Sequence, residues 1–235
     1  MRSSSAELNQ VLEQPAIQSL LPSCEHASVL ELGCGNGQFC THLIQQGADK
    51  VVGIDISKKM LADALERIAD DRIVFIESSI EDFDAGTDTY DLVVSSLAFH
   101  YVAELDDVFR KISRCLKSEG HLVFSMEHPI ITCSQGIHPG WHENNDGEKL
   151  HWAVDAYSSE GMRKSRWFVD GVVRYHRQLS TILNGLIDCG FRIERVLEPH
   201  VLEEAENMHP FLREERRRPP FLFVKAAKIS KSATE

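Results

Sequence analysis

Basic residues are outnumbered by acidic ones in this chain. Lysine and arginine number 25 against 36 aspartates and glutamates, a formal net charge of −11. A surface of that sign repels phosphate backbones, which disfavours binding to bulk nucleic acid. No apolar run approaches the length of a membrane span, so no membrane-embedded segment is expected. Met1 to Gln10 holds one arginine and no apolar stretch, unlike a secretory leader. The six cysteines (Cys24, Cys34, Cys40, Cys115, Cys133 and Cys189) include no Cys-x-x-Cys pair. They read as free thiols of a cytoplasmic protein rather than as a disulfide framework. His138 and His142 have the spacing of two ligands on one helix face, but Pro139 and Gly140 oppose a helix there, and no metal site is expected. Internal repeats and low-complexity segments are also missing. What remains is a single domain spanning 1–235, with enough apolar residue to bury its own core.

Short β-rich runs alternate with helix-period runs over the first two-thirds. Strands are expected at Val29–Leu32, Lys50–Ile54, Ile73–Ile76, Tyr90–Ser95 and His121–Ser125. Between them lie helical faces: Phe39–Gln46, then Met60, Leu61, Ala64, Leu65 and Ile68 behind an N-cap at Ser57, then Leu105 to Leu116 with Gly120 as its end. The strand cores are apolar on both sides, as a doubly covered parallel sheet requires. After a further helix, Leu179 to Ile187 closed by Gly190, come strands at Phe191–Leu197 and Phe221–Lys225. Only a polar, proline-containing loop joins this last pair, so they should run antiparallel. The fold class is α/β: a Rossmann-like, doubly wound, seven-stranded sheet, mostly parallel with an antiparallel last strand. Residues 129–177 break the rhythm. They hold Trp141, Trp152, Trp167, Tyr157 and Tyr175, and read as an insertion over the sheet's edge that acts as a lid on an apolar, aromatic-lined substrate site. The same aromatics would equally serve as the insertion's own core.

The most informative stretch is Val29-Leu-Glu31-Leu-Gly33-Cys34-Gly35-Asn-Gly37-Gln. A buried strand enters a glycine turn and a helix follows, at the strand end where open α/β sheets bind ligands. Asp55 stands 18 residues after Gly37, at the end of strand two, where a carboxylate can accept both hydroxyls of a ribose. The pair points to a nucleoside-containing cofactor. The glycine spacing departs from the dinucleotide fingerprint, and Glu31 would be unfavourable beside a pyrophosphate. A phosphate-free cofactor bearing positive charge suits the turn better.

On these residues the chain resembles a class I S-adenosylmethionine (SAM)-dependent methyltransferase, specifically small bacterial methyltransferases of unassigned substrate. The resemblance covers Val29 to Ser125. It rests on Glu31 to Gly37, on Val51-Val-Gly-Ile-Asp55-Ile-Ser, on Glu77-Ser-Ser79-Ile80-Glu-Asp-Phe83, and on Tyr90-Asp-Leu-Val-Val-Ser95 to His100. Ser125-x-Glu127-His128-Pro129 and Arg218-Pro-Pro-Phe-Leu are similar to the same group. The resemblance implies that Glu31, Gly33, Cys34 and Gly35 surround the methionine portion. It implies that Asp55 and Ile56 hold ribose and adenine with Met60 packed nearby, and that Ile80 offers its amide to the ring. Ser95 would face the amino group through its carbonyl. Ser79 stands where the family has an aspartate for the adenine amino group. The product would be S-adenosylhomocysteine (SAH).

The sulfonium already activates the methyl group, so the protein must align an acceptor in line and exclude water. A small-molecule substrate methylated on oxygen or nitrogen is the expectation. Should the acceptor carry a proton, the candidate bases are His100 after strand four, His128 after strand five, and Tyr157 and His176 in the insertion. Each has a structural alternative, His176 as a helix-start cap and His128 as a shaper of the strand exit. The rivals are a nicotinamide-dependent oxidoreductase, a non-catalytic SAM-binding protein, and alkyl transfer other than methyl.

Overall fold

Successive side chains along Ser28–Leu32 (β1) and Lys50–Asp55 (β2) point to opposite faces of a sheet. Leu30, Leu32, Val52 and Ile54 enter one buried cluster, whereas Val29 and Val51 enter another. Both faces are therefore covered, as the unbroken apolar strands require. The structure is a computed structural model that describes residues 7–134, 140–166, 170–201 and 203–230, except the side chains at 165, 166, 170, 171 and 211. Trp167, His138 and Pro139, singled out in the sequence, lie outside the described residues.

The remaining strands are β3 (Ile73–Glu77), β4 (Tyr90–Ser95), β5 (Leu116–Glu127), β6 (Trp141–Glu143), β7 (Lys149–Trp152), β8 (Gly161–Arg166), β9 (Asp170–His176), β10 (Phe191–Leu197) and β11 (Phe221–Lys228). Seven form one sheet in the order β10-β11-β5-β4-β1-β2-β3. β11 runs antiparallel to both its neighbours, and the other pairings are parallel. The expected antiparallel end is thus present. Strand order reverses between β1 and β4, which opens a crevice at their carboxyl ends.

The helices are α1 (Gln14–Leu20), α2 (Gln38–Gln45), α3 (Lys58–Arg67), α4 (Leu105–Cys115), α5 (Pro129–Thr132), α6 (Leu179–Asp188) and α7 (Glu203–Met208). Phe109 and Ile112 of α4 and Ile182 and Leu186 of α6 pack into the first cluster. Ile17 of α1, Leu43 of α2 and Leu61 of α3 pack into the second. Ser57 caps α3 by accepting from the Met60 amide at 3.3 Å.

Three features depart from the sequence reading. A π-helical turn at Asn9–Glu13 leads into α1, where no helix is expected. β5 begins at Leu116, directly after α4, rather than beyond Gly120. Its register jumps from Tyr90–Leu116 to Leu92–His121, so 117–120 bulge out opposite Asp91, and the Lys117 ammonium bonds both Asp91 carboxylate oxygens at 2.9 and 2.8 Å. The third departure is the 129–177 segment, which contains two hairpins, β6–β7 and β8–β9. It attaches above the carboxyl ends of β4 and β5, in the middle of the sheet and not along an edge strand. Arg174 of β9 pairs with Glu127 at the end of β5 (2.8 Å), while within the segment Trp152 Nε1 donates to the Ile130 carbonyl (3.0 Å).

Candidate functional site

β1 turns into α2 through three glycines of positive φ: Gly33 (79°), Gly35 (54°) and Gly37 (74°). The amides of Gly33 and Cys34 both donate to the Ile54 carbonyl, at 2.8 and 2.9 Å, and pin the turn to β2. The glycines then differ in what they meet. A Cβ on Gly33 would lie 2.5 Å from the Ala98 Cβ, and one on Gly37 would lie 2.5 Å from Phe75. These two are required by packing and φ together. At Gly35 the nearest atom is the Met60 methyl at 3.4 Å, the end of a flexible, exposed side chain. Gly35 therefore presents bare backbone to a ligand. Ile80 also reaches this turn, 3.7 Å from the position of a Gly33 Cβ. The Cys34 side chain instead packs down on Gly53, and its carbonyl accepts from the Gly37 amide at 3.0 Å.

Carboxylates surround the turn. Asp55 accepts from the Gly35 amide on Oδ2 and from the Ser57 amide on Oδ1, both at 2.8 Å. Two amides leave about half of its roughly four acceptor positions free, enough for a diol. Beside it, Ile56 is 72% exposed, a bare apolar surface at the crevice mouth. Glu31 is buried and accepts from the Cys40 thiol at 2.8 Å. Burial pushes its carboxyl up to about 8, against the Cys40 bond and with the charges of Asp55 and Glu13 adding to the rise. Among the described residues no cation pairs with Glu31, Asp55 or Glu13. Ser95 spends its hydroxyl on the Leu32 carbonyl (2.8 Å), which ties β4 to β1 and leaves the backbone as its means of meeting a ligand. Ser79 donates to the Asp82 carboxylate (2.8 Å) and accepts from the Asp82 amide (3.0 Å). The strand-three loop thus regains a carboxylate three residues further on. The combined chemistry suits a ligand with a ribose diol, a flat apolar ring and positive charge.

The four candidate bases are built into the protein. His100 is buried, and its Nδ1 accepts from the Glu127 amide at 3.3 Å. Burial and the nearby Arg174 lower its pKa to about 3, so it is neutral at physiological pH, with its proton on Nε2. His128 Nδ1 accepts from the Ile130 amide (3.2 Å) and caps α5, while Nε2 meets Glu198 at 2.8 Å. His176 bonds the Thr132 hydroxyl (2.9 Å) and donates Nε2–H to the Tyr157 carbonyl (2.9 Å). The Tyr157 hydroxyl accepts from the Leu179 amide at 3.1 Å, at the start of α6. Burial lowers the pKa of both His128 and His176. The structure buries His100 just after β4, ties His128 to Glu198 beyond β10, holds His176 in bonds within the insertion, and joins Tyr157 to the start of α6.

Sequence reasoning passed over Glu13, Tyr101 and the buried Glu127–Arg174 pair. Glu13 had a signal. It lies on one helical stripe with Ile17 and Leu20, spaced i, i+4 and i+7, where a carboxylate does not belong unless it is used. Tyr101 follows His100, with ring centroids 4.1 Å apart, and stays 42% exposed at the rim. Arg174 had no local signal, because its partner is remote in the chain. Among the described residues no group of three or more His, Cys, Asp or Glu could hold a metal ion. Likewise, no described helix is long and apolar enough to cross a membrane.

Residues 30–124 match the methyltransferase-domain family. A solved structure of an S-adenosylmethionine-dependent methyltransferase from Mesorhizobium loti is 39% identical, with a TM-score of 0.86 over 92% of this chain and 97% of that one. An uncharacterised protein of Haemophilus influenzae is 34% identical over 98% of this chain and 92% of its own length. A malonyl-[acyl-carrier protein] O-methyltransferase of Enterobacter lignolyticus is 32% identical over a shorter stretch, 47% of this chain and 43% of that protein.

Proposed function

This chain belongs to the class I S-adenosylmethionine-dependent methyltransferases, and from that premise we propose that it methylates an oxygen or nitrogen of a small molecule held beneath the 129–177 insertion. SAM is its cofactor and SAH its product. The observation that carries the small-molecule reading is the way the insertion is anchored. Glu127 and Arg174 meet at 2.8 Å with side chains only 8% and 6% exposed, over the carboxyl ends of β4 and β5. An insertion fastened there would cover the strand ends and admit a small acceptor, and a net charge of −11 disfavours a polyanionic substrate. The scattered free cysteines support a cytoplasmic setting.

The cofactor, when bound, supplies a methyl group already activated by its sulfonium. In this reading the backbone of Gly33, Cys34 and Gly35 meets the methionine portion, together with Glu31. Asp55 takes the ribose hydroxyls on its free acceptor positions. Ile56, Met60 and Ile80 cover the adenine, and the Ser79–Asp82 pair stands at its amino edge. Ser95 contributes its carbonyl. Attack by the acceptor breaks the S–CH3 bond, and the protein's work is to hold the acceptor in line and keep water out. We assign none of the four sequence candidates as the base. His100, neutral with Nε2–H outward from its Glu127 bond, orients an acceptor by donating a hydrogen bond.

The test is a transfer assay with methyl-labelled SAM and parallel panels of phenols, carboxylates and amines, with tRNA and proteins alongside. Label in a small-molecule fraction supports the reading. Label confined to RNA or protein overturns it.

A further inference from the structure

Glu13 ends the π-helical turn before α1 and is buried, 2% exposed. Its Oε1 accepts from the Ser96 hydroxyl at 2.9 Å and from the Ser125 hydroxyl at 2.6 Å. Ser96 directly follows β4, and Ser125 lies on β5 near its carboxyl end. The Leu97 amide reaches Ser125 as well, at 3.0 Å to the hydroxyl, so the two strand ends and the carboxylate form one hydrogen-bonded unit. This unit borders the glycine turn, because the neighbouring Ser95 bonds the Leu32 carbonyl at 2.8 Å and Ala98 packs against Gly33. Burying a carboxylate is costly unless a cation, enough hydrogen bonds or protonation offsets it. Among the described residues Glu13 has two hydroxyl donors and no cation. A leucine on the same stripe as Ile17 and Leu20 would pack there without that cost. Burial raises the pKa of Glu13 against its two serine bonds, so a positive charge brought by a ligand would favour its ionised form.

We propose that Glu13 recognises the positive charge at the cofactor's reacting centre, so that the site favours SAM over SAH. The proposal rests on the cofactor reading above. SAM and SAH share adenosine, ammonium and carboxylate groups, and differ by one methyl and the sulfonium charge. Breaking the S–CH3 bond leaves its electron pair on sulfur, and the positive charge departs with the methyl to the acceptor. A buried carboxylate facing that centre attracts the donor more than the product, because Coulomb energies grow in a low-dielectric site. Loss of the attraction on turnover would loosen SAH and help clear the site.

Calorimetric titration of wild type and Glu13→Gln with three ligands tests this. SAM carries a sulfonium, sinefungin carries an amine-bearing carbon in its place, and SAH carries a neutral thioether. The expected result for Glu13→Gln is about tenfold weaker SAM and sinefungin, with SAH changed less than about twofold. Glu13→Asp, which keeps the charge, should retain most of the preference. Should Glu13→Gln fail to fold, Ser96→Ala carries the test. Removing one donor to the carboxylate favours its protonated form, and the preference for SAM should fall in the same direction. Equal losses for all three ligands, or no loss, would overturn the proposal and leave Glu13 as a structural bolt. Wild type that binds none of the three would overturn the cofactor reading with it.

Discussion

Buried carboxylates set the chemistry of individual residues here. Glu31 holds its proton up to about pH 8 because burial penalises its charged form. Its ordinary value is 4.5, so the folded chain keeps a proton that the unfolded chain has released. The sign follows: this contribution to stability is fully present below pH 4.5 and is lost as pH rises through 8, on the order of 1 kcal/mol per pH unit. Ligand-free Glu31→Gln should therefore lose less stability than wild type between pH 6 and 8.5, as read by urea unfolding at each pH. Parallel curves for the two proteins would show that Glu31 is ionised in the fold. Asp55 is held in place by two backbone amides that bond its carboxylate. Fixing the glycine turn and the Ser57 cap is thus compatible with a ribose-binding role in one side chain.

At the scale of elements, the insertion is held by contacts of very unequal worth. The Arg218 guanidinium stacks 4.0 Å from the Trp152 ring, and Arg217 stacks 4.4 Å from Trp141. Glu127 and Arg174 add a buried ion pair. Removing one partner of such a pair leaves the other charge buried, which costs about 3–5 kcal/mol. Glu127→Gln should show a loss of that order in urea unfolding. Glu77→Gln, which removes an exposed pair with Lys58 (3.5 Å), should change stability by less than about 1 kcal/mol. Similar losses in the two variants would mean that the insertion is not fastened through Glu127. The sequence made the strand–turn–helix units legible because apolar β-runs and helical spacing are local. It hid the insertion's hairpins, where Pro139, Gly140 and Gly147 interrupt the alternation that marks a strand. It also hid α1, whose helical start is a π turn with Pro15 at its junction. β5 was read short because Gly120 resembles a helix stop, whereas 117–120 form a bulge within the strand.

Taken as a whole molecule, the sheet order places β1 and β4 side by side at the reversal point, and everything proposed for the site follows from that neighbourhood. The glycine turn comes from β1, Asp55 from β2, Ser79 and Ile80 from the loop after β3, and Ser95 and His100 from β4 and its exit. The cofactor half was legible because each of these lies at a strand end with a recognisable local motif. The acceptor half was not, since Glu13, Glu127 and Arg174 meet only through long-range packing. Their spacing in the chain carries no period that would join them. Histidines drew attention as bases because imidazole titrates near neutrality, but the fold uses three of them to tie segments together.

The most direct test of the account is calorimetric titration of SAM and SAH into wild type and Asp55→Asn. The account predicts saturable one-to-one binding to wild type and at least about tenfold weaker binding to the variant, since a ribose-facing carboxylate contributes about 1.5–3 kcal/mol through charged hydrogen bonds. Undiminished binding to Asp55→Asn, or no binding of either ligand to wild type, would contradict the cofactor site described here.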